Sequence, residues 1–347
     1  MPYINLIETI DAPFLYSQPE MSDWVLEGIG GDDKRKYRWL LNHAGISSRR
    51  IVLPDFGINV QDKLLYKNPN EAPTVQERMS VFQEQAGILI NKLKTPFFHK
   101  IGLSREEITH VITVSCTGIS APGLDFQAQQ LLGLPSNIMR FSINFMGCYA
   151  AFHGMKLAKT ICDAEADAKV LVVDVELCSL HFQTGATLDE ILANGLFADG
   201  AAMILVSNKA EGLKMNSFFQ DTAANSENEM AWKLTGHQFE MRLSTYVPEI
   251  LSAHIYEFMM NNGGVDADEF AFHPGGKKIL DACRDALNLK NEDLKESYEV
   301  LKNYGNMSSV SIFYILQKKL IKGGNGKLFA AAFGPGLTME GGHLEYV

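Results

Sequence analysis

Cysteine is scarce and unpatterned in this chain. The 347 residues include five, an odd number, scattered and without a Cys-x-x-Cys pair. That excludes a disulfide framework and a thiolate zinc site, and it suits a reducing compartment. Positive charge is also short: 31 Lys and Arg stand against 41 Asp and Glu, for a net charge of −10. Nucleic acid as main partner would need a basic face, so that class is set aside. No apolar run is long enough to span a bilayer. The first residues, Met1-Pro-Tyr-Ile-Asn-Leu-Ile-Glu8, lack the basic and apolar regions of a secretory signal. The expectation is a cytoplasmic protein without membrane insertion. With 46% hydrophobic residues, the chain can fill a large core in two halves or domains.

What is present is a series of strand–turn–helix units. Phe141, Ile143 and Phe145 alternate with Arg140, Ser142 and Asn144, which is strand periodicity. Gly147 breaks the strand, and a run of small and apolar residues from Cys148 to Ala158 reads as a buried helix. Cys148 therefore sits where a helix begins. The unpaired N–H groups and the dipole there favour an anion, and a thiol so placed has its pKa lowered to roughly 3.5–7.5. The alternative is that Cys148 is a small buried hydrophobe, the reading that suits Cys162 and Cys283 on their helices.

Further units follow the same plan. Strands are expected over 110–115, 169–177, 269–276 (ending in a turn) and 327–333, with helices over 75–98, 122–133, 240–261 and 310–320. The polar stretch 209–233 is the candidate junction, dividing the chain into residues 1–208 and 209–347. Alternating strands and helices indicate an α/β fold with mostly parallel pairing.

Three turns carry reactive groups: Cys148, His273 and Asn306. A thiolate nucleophile needs a partner that stabilises it and moves protons, usually His. Acyl transfer also needs donors for a developing oxyanion, which an imidazole and an amide supply. His110 and His254 have the ordinary reading of surface or hydrogen-bonded core residues. Lys36, Arg38 and Arg49 belong to a basic cluster that reads either as a solvated face or as a landing site for coenzyme A phosphates.

Five segments carry a family resemblance: Phe145-Met-Gly-Cys-Tyr-Ala-Ala151, Leu196-Phe-Ala-Asp-Gly-Ala-Ala202, Phe272-His-Pro-Gly-Gly-Lys277, Tyr304-Gly-Asn-Met-Ser-Ser309 and Phe333-Gly-Pro-Gly-Leu-Thr338. With them, the chain resembles the type III polyketide synthases, the chalcone-synthase-like family of the thiolase superfamily, over nearly its whole length. The resemblance implies a thiolase-like fold of two similar halves in a layered αβαβα core, and a homodimer. It implies an acyl-CoA starter held on Cys148 and malonyl-CoA as extender, with His273 and Asn306 promoting loss of CO₂. No metal or redox cofactor is implied. Phe197 matches the family's gating phenylalanine, and Met241 stands where a second is usual. Cys116 replaces a cavity threonine, His181 lies where another is common, and Ala121 stands at the methionine that reaches across the dimer. Glu176 and Ser308 are retained, but Cys116 leaves the hydroxyl relay of one cyclisation mode incomplete. Met241, Ala121 and Cys116 together suggest a roomy cavity for medium or long fatty acyl starters and alkylpyrone or alkylresorcinol products. His181 and Phe197 filling that space is the competing possibility. The nearest alternative enzyme is a ketoacyl-synthase III-like catalyst of a single condensation.

Overall fold

The computed structural model describes residues 1–27, 29–56, 63–67, 71–183, 187–235 and 239–347. Its frame is a nine-stranded sheet. The spatial order is Glu269–Phe272, Lys327–Gly334, Thr338–Tyr346, Leu213–Thr222, Tyr3–Asp11, Asp199–Ser207, Lys169–Leu177, His110–Ser115 and Met139–Asn144. The seam between Tyr3–Asp11 and Leu213–Thr222 is only two residue pairs long, Tyr3 with Lys214 and Ile4 with Leu213. The sheet thus folds into two wings, and three apolar clusters fill the spaces around them.

One cluster joins the outer face of the first wing to the helices Val75–Ile101 and Leu124–Leu132. A second lies between the wings and contains the buried faces of the helices Ala150–Ala164 and Val310–Lys322. The third packs Val247–Asn261 and Lys277–Ala286 on the outer face of the second wing. The result is the five-layered α/β architecture expected of a thiolase-like chain. The middle layer matters most here, because the candidate nucleophile and amide both precede its two helices.

Local sequence explains many boundaries. Thr74 and Glu77 form a reciprocal capping box, which supports the start of Val75–Ile101 by about 1 kcal/mol. Gly102, at φ 64°, closes that helix in the left-handed region. Lys169–Leu177 alternates two buried faces. Leu171, Val173, Val175 and Leu177 face the outer cluster, while Val170 and Val172 face the middle layer.

Two expectations are corrected. Pairing is mixed rather than mostly parallel: in the nine-stranded sheet the ladders of His110–Ser115 with its two neighbours and the pair Glu269–Phe272 with Lys327–Gly334 are parallel, and the others are antiparallel. Periodicity reports burial on two faces, not the direction of the neighbour. Within the polar stretch expected as the junction, Leu213–Thr222 is a strand paired along Thr338–Tyr346. The helix expected from 240 begins at Val247, and Phe239–Leu243 instead forms a strand with Met230–Leu234.

Candidate active site

Cys148, His273 and Asn306 line one cavity of about 430 Å³, together with Cys116, Thr117, His181, Phe197, Trp232 and Ser308. Each reaches it from an element end. Cys116 follows the strand His110–Ser115, and Cys148 follows Met139–Asn144. His273 follows Glu269–Phe272, while Asn306 and Ser308 lie between two helices.

The Cys148 turn depends on left-handed backbone at Phe145 (φ 59°) and Gly147 (φ 83°). A Cβ on Gly147 would fall 2.2 Å from Pro335 Cδ, and one on Gly334 would fall 2.6 Å from Tyr149 Cδ1. The Gly-Pro-Gly loop therefore packs directly on the nucleophile turn. Cys148 itself precedes Tyr149, the N-cap of Ala150–Ala164.

Asn306 is held on four sides. Its N–H donates to Leu196 O (2.9 Å) and its carbonyl accepts from Ala198 N–H (2.8 Å). Its Oδ1 accepts from Ser308 N–H (2.9 Å), and its Nδ2 donates to Gly275 O (3.2 Å). A carboxamide nitrogen has two hydrogens, so one donor is left for the cavity. Ser308 holds this turn at φ 50°, a sparsely populated region for a side-chain-bearing residue.

Burial governs the charges. It pushes the Cys148 thiol up to about 12, against hydrogen bonds to Ser308 and Asn306 that pull it down. It pushes His273 down to about 3. Both His273 ring nitrogens are buried without a hydrogen-bond partner in the protein. The expected thiolate therefore does not follow from the helix start alone, because desolvation outweighs it. The Ser308 and Asn306 hydrogen bonds favour the thiolate, and His273 lines the same cavity, where an imidazolium would offset its charge.

The deep wall is aromatic. His181 Nε2 donates to Thr117 O (2.7 Å), and its ring stacks on Phe239 at 4.3 Å and 7°. Trp232 meets both rings edge-on and donates from Nε1 to Cys116 O (2.9 Å). Sequence reasoning missed Thr117, Trp232 and Phe239; nothing in their local pattern marks them, since the wall forms only when residues 232 and 239 reach the ends of two sheet strands. Met241 lies on the same hairpin, paired with Trp232, and its side chain is outside the described residues. Cys116 is buried, with Gly147 N–H donating to its Sγ (2.9 Å). Ala121 is exposed and does not line the cavity of its own chain.

The basic cluster divides. Arg49 is fully buried and donates to Asn194 O (2.6 Å) and Phe197 O (2.9 Å), which corrects its assignment to coenzyme A phosphates. It ties down the Phe197 turn instead, and a Cβ on Gly305 would strike it at 2.8 Å. Arg38 is paired with Asp23 at 2.6 Å and is not a cavity residue. Lys36 does line the cavity, at its outer end with Trp39, Lys277 and Lys278. Both lysines directly follow the His273 segment, a signal that the sequence carried but that was not used.

A fold of two layered wings with Cys, His and Asn in one pocket defines an acyl-transfer enzyme of thiolase type. The family models for chalcone and stilbene synthases match the chain at residues 15–210 for the N-terminal domain and 214–347 for the C-terminal domain. The chain belongs to the chalcone and stilbene synthase family, the type III polyketide synthases. It is 30% identical over 263 residues to "Probable polyketide synthase 1" of Dictyostelium discoideum. That match covers 71% of this chain and 8% of the much longer relative. Among solved structures, the C-terminal type III domain of the Dictyostelium type I/III hybrid "Steely1" is 25% identical, with a TM-score of 0.90. The alignment covers 100% of this chain and 99% of that one. The tetrahydroxynaphthalene synthase of Streptomyces coelicolor shares the fold at 22% identity, with a TM-score of 0.90 and 99% of each chain covered. Among the described residues, no helix is long and apolar enough to cross a membrane.

Proposed function

We propose that the chain takes an acyl group from an acyl-CoA starter onto Cys148 and extends it by repeated decarboxylative condensation with malonyl-CoA. The observation that supports this reading is the meeting of Cys148, His273 and Asn306 in one buried cavity. The thiolate displaces coenzyme A, and its proton, held on His273, leaves with the departing thiol. Malonyl-CoA then loses CO₂, and the enolate oxygen is held by the imidazole N–H and the free Asn306 N–H. The enolate carbon attacks the acyl-Cys148 carbonyl; a C–C bond forms and the C–S bond breaks. Loss of CO₂ supplies the carbanion, so neither a metal nor a redox cofactor is required. Fixed donors already aimed at the developing charge lower the barrier without reorganisation. Lys36 and Lys278 are placed to meet the phosphates of coenzyme A at the outer end, beside Lys277, which is paired with Asp281 at 2.5 Å. Five free, buried cysteines suit a cytoplasmic location.

We assign alkyl starters and alkylpyrone or alkylresorcinol-type products, with tail length limited by His181 and Trp232, which line the cavity and pack against Phe239. Each buried methylene contributes about 0.8 kcal/mol until the wall is reached. Across acetyl-, hexanoyl-, lauroyl- and coumaroyl-CoA with malonyl-CoA, kcat/KM is expected to be highest for hexanoyl. Trp232→Ala should raise the lauroyl value on the order of tenfold, the effect of one or two methylenes gaining contact. Preference for coumaroyl, or no gain in the variant, would count against this assignment. Product formation only with an acyl carrier protein would favour the single-condensation alternative.

A homodimer is proposed through the edge strand Met139–Asn144. Among the described residues its outer edge is unpaired, and its Met139 and Phe141 are exposed. An apolar open edge is a template for pairing with a second copy. Light scattering is expected to give twice the chain mass, and Phe141→Lys to give a monomer. A wild-type monomer at micromolar concentration would refute this.

A further inference from the structure

Asp174 and Glu176 continue the inner row of Val170 and Val172 on one strand, two residues apart and on one face. Both are fully buried, behind the cavity and against the start of the helix Val310–Lys322. Ser309, also fully buried, lies between them. Its Oγ is 2.9 Å from Asp174 Oδ1 and 2.9 Å from Glu176 Oε1. A serine hydroxyl has one hydrogen, so it donates to one carboxyl and must accept from the other. One of the two acids therefore carries a proton.

The neighbours decide which. Glu176 accepts from Cys116 N–H (3.0 and 3.1 Å to its two oxygens) and from the Thr117 hydroxyl (2.8 Å). Thr117 Oγ1 itself accepts from Leu177 N–H, so its own hydrogen is directed at Glu176. Glu176 thus has the partners of a carboxylate. Asp174 has only Ser309, and its Oδ2 is buried without a partner. Burial, with the charge of Glu176 added, holds Asp174 well above the usual carboxylate range. The other titratable groups facing the pair are thiols: Cys116 beyond the neighbouring strand, Cys148 on its turn and Cys178 after Glu176.

We propose that Asp174, Ser309 and Glu176 form a proton-sharing relay that opens on the cavity at Thr117 and controls how the finished chain leaves Cys148. Asp174 donates to Ser309 and Ser309 to Glu176 Oε1, leaving Oε2 as the basic oxygen behind the Thr117 hydroxyl. In ring closure an enol oxygen attacks the thioester carbon; the C–O bond forms and the C–S bond breaks. The enol proton passes through the Thr117 hydroxyl to Glu176 Oε2, and Cys148 leaves as the thiolate. Asp174 is a positioning residue in this scheme. While it keeps its proton, the pair carries one charge; when it ionises, Ser309 faces two carboxylates and satisfies only one.

This inference rests on the polyketide synthase reading, and one measurement is independent of it. Infrared difference spectra of wild type minus Asp174→Asn should show a protonated-carboxyl carbonyl band, whether or not the enzyme makes product. In turnover, the ratio of cyclised product to linear acid is expected to bend with pH in the wild type. It should be flat in Asp174→Asn, which mimics the neutral acid. Ser309→Ala, which changes no charge, should lower the ratio on the order of tenfold at every pH. A missing infrared band, or a variant profile that bends like the wild type, would overturn the relay. Absence of any product from wild type would instead defeat the polyketide reading while leaving the infrared result to decide the proton.

Discussion

Cys148→Ala is expected to abolish acyl-enzyme formation and to lower chain extension on the order of 10⁴- to 10⁶-fold, the scale seen when a covalent nucleophile is removed. Intact-mass analysis after incubation with the starter thioester measures the first effect directly. Acylation of the variant at wild-type extent would remove Cys148 from the mechanism. The same thiol reports on His273. Alone in the cavity, the thiol is pushed up to about 12 and the imidazole down to about 3. Only the exchanged proton makes both charges tolerable. Alkylation of Cys148 by iodoacetamide should therefore level off with rising pH in the wild type. In His273→Gln it should keep climbing through the alkaline range, because the thiol has lost its counter-charge. Identical profiles would show that something other than His273 sets the thiolate.

Asn306→Ala carries the second large effect. Its Oδ1 is occupied by Ser308 N–H and one Nδ2 hydrogen by Gly275 O, leaving one donor preset toward the cavity. Loss of a preorganised oxyanion donor costs about 10²–10³ in kcat. Release of CO₂ from malonyl-CoA should fall by that amount, while acylation of Cys148 slows far less, because the enolate exists only in extension. Normal decarboxylation by the variant would exclude Asn306 from the oxyanion site.

The chemistry was legible because it sits on turns with strong local signatures. Gly147 before Cys148, Gly275 and Gly276 after His273, and Gly305 before Asn306 all mark sharp breaks between periodic segments. The strands His110–Ser115 and Lys169–Leu177 were readable at their full length from their β-branched and apolar residues. Less legible were features whose meaning depends on distant partners. Arg49 looks like a surface cation in a basic run, yet it is buried against the carbonyls of Asn194 and Phe197.

The amino-acid sequence by itself determined the alternation of strands and helices, the family, and the three reactive side chains, since each rests on short-range pattern. Tertiary structure alone decided strand direction, because period-two burial is the same for parallel and antiparallel neighbours. It also decided the environment of the Cys148 thiol: a helix start favours a thiolate, but desolvation in the assembled cavity outweighs it and pushes the thiol up. The depth of the cavity was likewise decided by assembly, as Trp232 and Phe239 come from a hairpin and His181 from beyond the other wing's strand. Asp174 shows the same physics, since an acid in a strand pattern reads as an exposed position until both faces of the strand are covered and a single serine hydrogen must serve two carboxyls.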